Sequence, residues 1–322
     1  MNSSDKVSRS APKRVLVTGA NGAIGTRLVK LLANRGLTPI QGVRSERTRI
    51  RPEFPVLITG DLTASNTSAL DFSSVVPIDC IVHLAGISSH QRHGSEEEWT
   101  SRNLRCAELV ADAADTAGVG QLIFVSTSLI YDTGKPDKND DDQVPSTAYA
   151  RGKLACEEYL KSRDLKCALT IIRPPPVLRR NAGGSIGLLQ KFVDWNVPLP
   201  LASVSHNRVD FVSLDVLCDF LIACIESPHA EGETFDVSDG FPLSTRQLVL
   251  NLAVADRKKA ILFPVPVSLL RVILEKVSGR LASLLLDDYL IDGARAQETL
   301  GWTPPFCENF SRLHLGDRRN PS

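Results

Sequence analysis

Thr18-Gly19-Ala20-Asn21-Gly22-Ala23-Ile24-Gly25 is the stretch on which the fold turns. The apolar run Arg14-Val15-Leu16-Val17 leads into it and reads as a buried strand. Residues 23–34 follow with helix spacing, Ile24, Leu28, Leu31 and Leu32 sharing one face. A strand that passes through three glycines into a helix is a dinucleotide cradle. Such a cradle needs glycine for a tight turn, for backbone approach to a pyrophosphate and for close helix–strand packing, and Gly19, Gly22 and Gly25 supply these. Asn21, Ala23 and Ile24 complete the loop. The helix that starts near Gly22 points free N–H groups and the positive end of its dipole at the phosphates. The spacing is G-x-x-G-x-x-G, not the commoner G-x-G-x-x-G.

Outward from the cradle, short apolar runs alternate with helical patterns. Residues 40–43, 56–58, 80–84, 122–125 and 169–172 read as strands, and 96–117 and 146–162 as helices between them. This alternation predicts an α/β fold, a Rossmann doubly wound parallel sheet with ligands outside the carboxyl ends of its strands. After Arg173-Pro174-Pro175-Pro176 the rhythm changes, because proline continues neither a central strand nor a helix interior. Residues 185–195, 213–226 and 244–255 then read as helices and 234–237 as a strand. The expected organisation is a flexible tail (1–12), a dinucleotide-binding domain (13–175), a smaller C-terminal α/β substrate lobe (176–310) and a second tail (311–322). Residues 213–226 and 234–237 are expected to return to the sheet.

Composition narrows the function. The chain has 322 residues, 43% of them hydrophobic, enough for a sizeable core. Lys plus Arg (37) balances Asp plus Glu (37), which argues against a bulk nucleic-acid or membrane-surface binder. Seven cysteines are scattered without metal-ligand spacing and read as reduced thiols of a cytoplasmic protein. No metal site is expected, and the acidic run Asn139-Asp140-Asp141-Asp142 reads as a solvated loop. Residues 261–291 are apolar but too broken by prolines and charges to span a bilayer. They read as a packed amphipathic helix pair, with an interfacial membrane helix as the alternative.

The second strand ends Gly42-Val43-Arg44-Ser45, without the acidic residue that usually clamps the adenosine ribose. Arg44 can pair with a 2′-phosphate, which tilts the choice between NAD and NADP toward NADP; a solvated charge is the alternative. Asp61 and Leu62, after the third strand, are placed to meet the adenine. Further on, Tyr149 and Lys153 stand one helical turn apart on the same face. A neighbouring ammonium, which Lys153 supplies, and a nicotinamide cation favour the phenolate and bring a phenol pKa toward the working range, making Tyr149 a general acid/base. Lys153 can also hold the nicotinamide ribose. A hydroxyl from Thr127 or Ser128, at the end of the 122–125 strand, can bind the same substrate oxygen. Together with the cradle, this constellation reads as hydride transfer.

These residues resemble the extended short-chain dehydrogenase/reductases, the NAD-dependent epimerase/dehydratase group that acts on nucleotide sugars. The marks are Thr18 to Gly25, Gly60-Asp61-Leu62, His83-Leu84-Ala85-Gly86, Asn103, Ser126 to Tyr131, Tyr149 with Lys153, Arg173-Pro174-Pro175, Arg208 ahead of Phe211, and Leu300-Gly301-Trp302. The resemblance implies Thr127 as the catalytic hydroxyl and Asn103 as a residue tied to the proton relay. It implies Leu84, Ala85, Gly86 and Pro176 at the cofactor. It implies Ser88, Ser128, Ser185 and Arg208 at the substrate, with Arg208 meeting the nucleotide diphosphate of a UDP-sugar. It further implies a homodimer paired through residues 96–117 and 146–162. Where the family continues Tyr-Gly-Pro after Val177, this chain has Leu178-Arg179-Arg180, and the two arginines read as solvated loop charges, with binding of the diphosphate by one of them as the alternative. A UDP-sugar 4-epimerase and a 4-keto-sugar reductase share such a site. A 4,6-dehydratase is disfavoured because Ser128-Leu129 replaces its Asp-Glu pair. A catalytically inactive NAD(P)-binding regulatory or scaffold protein is the alternative from another class.

Overall fold

In the computed structural model, residues 13–46, 50–64, 69–87, 95–131, 145–179 and 183–305 are described. Ser88, Arg180, the acidic run 139–142, Cys307 and both expected tails lie outside them.

The first strand, β1 (Arg14–Thr18), is an inner strand of the sheet. Its side chains alternate between faces, and both faces are covered, which is why the run is apolar without interruption. Val15 and Val17 enter one core with Leu28 and Leu32, whereas Leu16 enters the other with Ile81, Leu122 and Phe124. Helix α1 (Ala23–Asn34) returns the chain to β2 (Thr38–Val43), which pairs in parallel with β1, and β3 (Val56–Ile58) extends that side. The chain then crosses to β4 (Cys80–His83), on the other flank of β1. Helix α2 (Glu96–Ala117), β5 (Gln121–Val125), α3 (Ala148–Ser162) and β6 (Ala168–Arg173) continue outward. The order β3-β2-β1-β4-β5-β6-β9 is parallel throughout, so the winding reverses between β1 and β4 and opens a crevice at their carboxyl ends.

Caps set the helix ends that matter for the crevice. Ser95 accepts the Glu98 N–H at the start of α2, where Glu96, Glu97 and Glu98 also meet the positive end of the dipole, and Gly118 closes that helix in the left-handed region. Thr147 accepts the Ala150 N–H at 3.1 Å, fixing the start of α3 so that Tyr149 falls in its first turn.

Beyond the prolines, two-residue strands β7 (Val177–Leu178) and β8 (Val212–Ser213) pair in parallel, flanking α4 (Gly184–Asp194). Helix α5 (Leu214–Glu226) packs Val216, Leu217, Phe220 and Leu221 into the core that α1 occupies, and β9 (Thr234–Asp236) pairs with β6. Both segments expected to return to the sheet do so. Helices α6 (Thr245–Ala255), α7 (Val267–Val277) and α8 (Gly279–Leu286) join α4 around a separate core of Leu189, Val193, Leu248, Leu252, Leu270 and Leu285. The expected pair within 261–291 is α7 and α8. A short α9 (Ala294–Leu300) ends the described chain, and neither it nor β7 and β8 was expected. No helix among the described residues is long and apolar enough to cross a membrane.

Candidate active site

The glycine turn is built as its chemistry requires. Gly19 has φ +68°, and a Cβ there would stand 3.0 Å from the Ala85 nitrogen. At Gly25, a Cβ would meet the Gly19 carbonyl oxygen and lie 2.7 Å from Ala20 Cα. These two positions bring the turn, the segment after β4 and α1 into contact. Gly22 caps α1 without a side-chain hydrogen bond, leaving first-turn N–H groups open at the mouth of the crevice. The cradle therefore fits a dinucleotide pyrophosphate.

Thr18 ties the cradle to the next strand. Its Oγ accepts the Leu84 and Ala85 N–H groups, both at 3.2 Å, so its hydroxyl proton goes to His83 Nδ1 at 2.7 Å. His83 then carries its proton on Nε2, facing Cys106 Sγ at 3.7 Å. Burial, helped by the Lys153 charge, pushes the imidazole down to about 3, so His83 is neutral. Asn103 is buried and fully engaged: its Oδ1 accepts the Ile87 N–H at 2.8 Å and its Nδ2 donates to the Trp99 carbonyl at 3.1 Å. It thereby fixes the Leu84-Ala85-Gly86 segment that the resemblance assigned to the cofactor.

Of the residues expected to meet adenosine, Arg44 is exposed and faces Asp61 at 3.7 Å. Partial burial acts to raise the Asp61 carboxyl, but the Thr63 N–H and hydroxyl, with Arg44 and Arg102, outweigh it and hold the group below the ordinary carboxylate value. The charge expected to be solvated or free for a 2′-phosphate thus has an ionised carboxylate beside it. Leu62 is buried in the core that Leu16 enters.

Two of the residues expected to be catalytic, Lys153 and Thr127, meet at the end of β5. Lys153 donates to the Val125 carbonyl at 2.8 Å, and its ammonium lies 4.7 Å from the Phe124 ring centroid. Burial lowers its pKa. Tyr149 is half-buried, its ring 5.5 Å edge-on from Trp99. Burial pushes the phenol up to about 12; the expected lowering draws on a nicotinamide cation as well as the ammonium. The reason is geometric: the Lys153 ammonium is committed to Val125 and Phe124, so desolvation acts on the phenol without a compensating charge.

The hydroxyls around it divide. Thr127 Oγ accepts the Leu129 N–H at 3.2 Å and keeps its own proton to donate. Ser128 is fully buried and shares a 2.8 Å hydrogen bond with Tyr289. Among the described residues the buried Ser126 hydroxyl and Trp99 indole N–H have no partner. Neither was singled out as a site residue, and unsatisfied burial, which only a structure exposes, is their signal. Beneath them, Glu157 receives the Arg173 guanidinium at 2.6 Å; Arg173 reaches the Tyr131 hydroxyl at 2.5 Å, and that hydroxyl donates to Asp236 at 3.0 Å. This buried chain pins α3 to β6 one turn beyond Lys153.

Of the residues expected at the substrate, Ser185 stands in the first turn of α4; Pro176, expected at the cofactor, is half-buried just before β7. Arg179 is not a solvated charge: it is half-buried, and burial lowers its pKa. Arg208 is exposed and lines a cavity of about 360 Å³ with Asp210, Asp236, Gln297 and Trp302, apart from Tyr149 and Lys153. The six described cysteines are free and buried.

The chain is 30% identical over 310 residues to the UDP-glucose 4-epimerase of Vibrio cholerae, an alignment that covers 92% of each. Its fold matches the UDP-N-acetylglucosamine 4-epimerase of Bacillus cereus with a TM-score of 0.70 at 19% identity, covering 94% of this chain and 93% of that one. It matches the Bordetella bronchiseptica enzyme WbmG, solved with NAD and UDP, with a TM-score of 0.69 at 20% identity, covering 95% and 93%. Residues 15–238 match the model of one family, and with the cradle, the parallel sheet and these relatives they show that the chain belongs to the NAD dependent epimerase/dehydratase family.

Proposed function

We propose that this protein is an NAD-dependent enzyme acting at C4 of a UDP-hexose, with Tyr149 as its general acid/base. The observation that carries the reading is the placement of Lys153: its ammonium sits at the carboxyl end of β5, on the helix that carries Tyr149, and its charge reaches His83, the residue bonded to the cradle. The cradle and the proton-transfer group thus share one crevice. The most similar relative described above acts on UDP-glucose, and the WbmG structure holds NAD and UDP, which supports a uridine diphosphate sugar as substrate.

Gly19, Gly22 and Gly25 would receive the pyrophosphate, and Asp61 and Leu62 the adenosine end. The nicotinamide, when bound, supplies hydride acceptance and donation at the sugar carbon. Tyr149 supplies the proton. With its pKa near 12 the phenol is protonated at neutral pH, so it is ready to give a proton to a ketone oxygen. Taking a proton from a hydroxyl requires added positive charge beside the ring. Thr127, with a free hydroxyl proton, would steady the same oxygen. Lys153 would shift from the Val125 carbonyl toward a ribose hydroxyl. Arg208 is the exposed cation available to a diphosphate.

The Arg44–Asp61 pair moves the cofactor reading from NADP to NAD. A 2′-phosphate approaching Arg44 would meet the Asp61 carboxylate, whereas a ribose 2′-hydroxyl would not be repelled. An epimerase follows if the oxidised sugar turns in place and is reduced again; a reductase follows if a 4-keto sugar is supplied from outside. The test is twofold. Purified protein is denatured and the released nucleotide assayed; tightly held NAD supports the epimerase, and exchange with preference for NADPH overturns the NAD reading. Wild type and Tyr149→Phe are then incubated with UDP-glucose or UDP-galactose. Interconversion by wild type, reduced at least about a hundredfold in the variant at unchanged stability, is expected; full activity in the variant would refute Tyr149.

A further inference from the structure

Between 257 and 277, outside the Tyr149 site, the chain exposes apolar side chains close in sequence to basic ones. Six of the thirteen large apolar side chains exposed among the described residues fall between 261 and 277: Ile261, Phe263, Leu269, Val272, Ile273 and Val277. Val277 is 73% exposed and Leu269 and Val272 each 52%. They are exposed for a structural reason. In α7, Leu270 is buried and Val267 and Leu274 pack against the lobe core, which turns Leu269, Val272 and Ile273 to the opposite side of the helix, with Lys276 among them. A helix apolar on both sides is ordinarily covered on both. Just before it, Leu262 packs inward beside Leu199 while its neighbours Ile261 and Phe263 face outward.

The charges say what covers this surface. Between 257 and 277 stand five basic residues, Arg257, Lys258, Lys259, Arg271 and Lys276, against the single acid Glu275, in a chain whose total charge is zero. Lys258 pairs with Asp194 and Arg271 with Asp287, but among the described residues Arg257, Lys259 and Lys276 have no carboxylate partner. A second copy of this chain is a poor occupant, because in a two-fold contact the surface meets itself and sets lysine against lysine. A nucleic acid would use the lysines and leave the leucine, valine and isoleucine side chains in water. Aliphatic side chains that enter acyl chains, with lysine and arginine at headgroup level, are the pattern of a helix lying in a bilayer interface.

We propose that α7 and the segment 257–263 dock this protein on an anionic lipid surface, with α7 lying in the interface plane. Docking is independent of what the Tyr149 site does. Each lysine near an anionic bilayer contributes about fivefold to partitioning. The full chain is mixed with vesicles of phosphatidylcholine containing 30 mol% phosphatidylglycerol, or of phosphatidylcholine alone, and the bound fraction measured by flotation. Binding to the anionic vesicles is expected, weakened by salt. The pair Lys259→Gln and Lys276→Gln should lower the partition coefficient roughly thirtyfold. Val272→Ser with Ile273→Ser should abolish flotation, with melting temperature and NAD binding unchanged in both variants. No flotation of wild type, or equal flotation with neutral vesicles, would overturn the proposal. So would a serine variant that passes from dimer to monomer on gel filtration while still floating, since that assigns the surface to a second copy.

Discussion

Gly25→Ala tests the cradle where it is tightest. The added methyl would stand 2.7 Å from Ala20 Cα and 2.9 Å from the Ala20 carbonyl carbon, and closer still to the Gly19 oxygen. Ordinary Cβ contact begins at 3.4 Å, so α1 must recede from the turn by more than about 0.7 Å, the Gly19 oxygen demanding the most. All three atoms are backbone, so no rotamer change relieves the clash. Overpacking of this kind costs about 1–3 kcal/mol, and alanine returns up to ~1 kcal/mol of helix propensity. A net loss of about 1–2 kcal/mol is expected in urea unfolding of the cofactor-free protein. The larger effect is on binding. Displacing the N-terminus of α1 takes its open N–H groups off a pyrophosphate, and NAD affinity by calorimetry should fall more than about tenfold. Gly152→Ala is the control: its Cβ would meet only Thr100, at 3.4 Å or more, within α3, so stability should rise or stay level. A Gly25→Ala protein that unfolds at the wild-type urea midpoint and binds NAD as tightly would refute close packing as the reason for this glycine.

Three further outcomes are expected. Glu157→Gln leaves the buried Arg173 guanidinium without its carboxylate and should cost about 3–5 kcal/mol in urea unfolding, with Glu157→Leu plus Arg173→Met recovering part of it; equal loss in single and double variants would refute the pairing argument. Ser128→Ala removes the partner of the Tyr289 hydroxyl and should cost about 1–2 kcal/mol, whereas no change would mean that water replaces the serine freely. Burial pushes the Asp239 carboxyl from the ordinary 3.8 up to about 6, against the pull of its bonds from Ser213. The folded protein therefore holds a proton that the unfolded chain releases, and this group's contribution to stability falls as pH rises from about 4 to about 6. The unfolding free energy of wild type minus that of Asp239→Asn should decline across that window by at most roughly 3 kcal/mol, and a flat or rising difference would contradict it.

All seven strands of the main sheet can be read from the sequence, most directly β1, β4 and β5, whose buried runs are covered on both faces; β3 and β9 are shorter and partly exposed. Helices α1 and α2 can be read to their ends, because the glycine turn and Ser95 mark their starts. What is not legible is short or non-local. Strands β7 and β8 are two residues each and exist only because one pairs with the other. Helix α9, Ala-Arg-Ala-Gln-Glu-Thr-Leu, has one buried residue, Ala296, and no apolar period to detect. At the site, the residue types at Tyr149, Lys153 and Thr127 are legible, but their electrostatics are not. A separation of four residues says that phenol and ammonium share a helix face, and nothing about the Val125 carbonyl, 28 residues away from Lys153, that takes the ammonium. The buried chain Glu157–Arg173–Tyr131–Asp236 draws on α3, β6, the turn after β5 and β9, so no window of sequence contains it.

The place of β9 at the rim of the sheet has a consequence for how the polypeptide is made. While it emerges from a ribosome, everything needed for the cradle and for Tyr149 is present once β6 has been synthesised. Yet β6 then has a bare flank until Thr234–Asp236 arrive some sixty residues later, and the α1 face lacks the apolar cover of α5. An unpaired strand of this kind invites pairing with other nascent chains. The nucleotide half cannot therefore be cut free at the prolines: a fragment ending near residue 178 should aggregate, whereas one that runs through Asp236 carries its own cover.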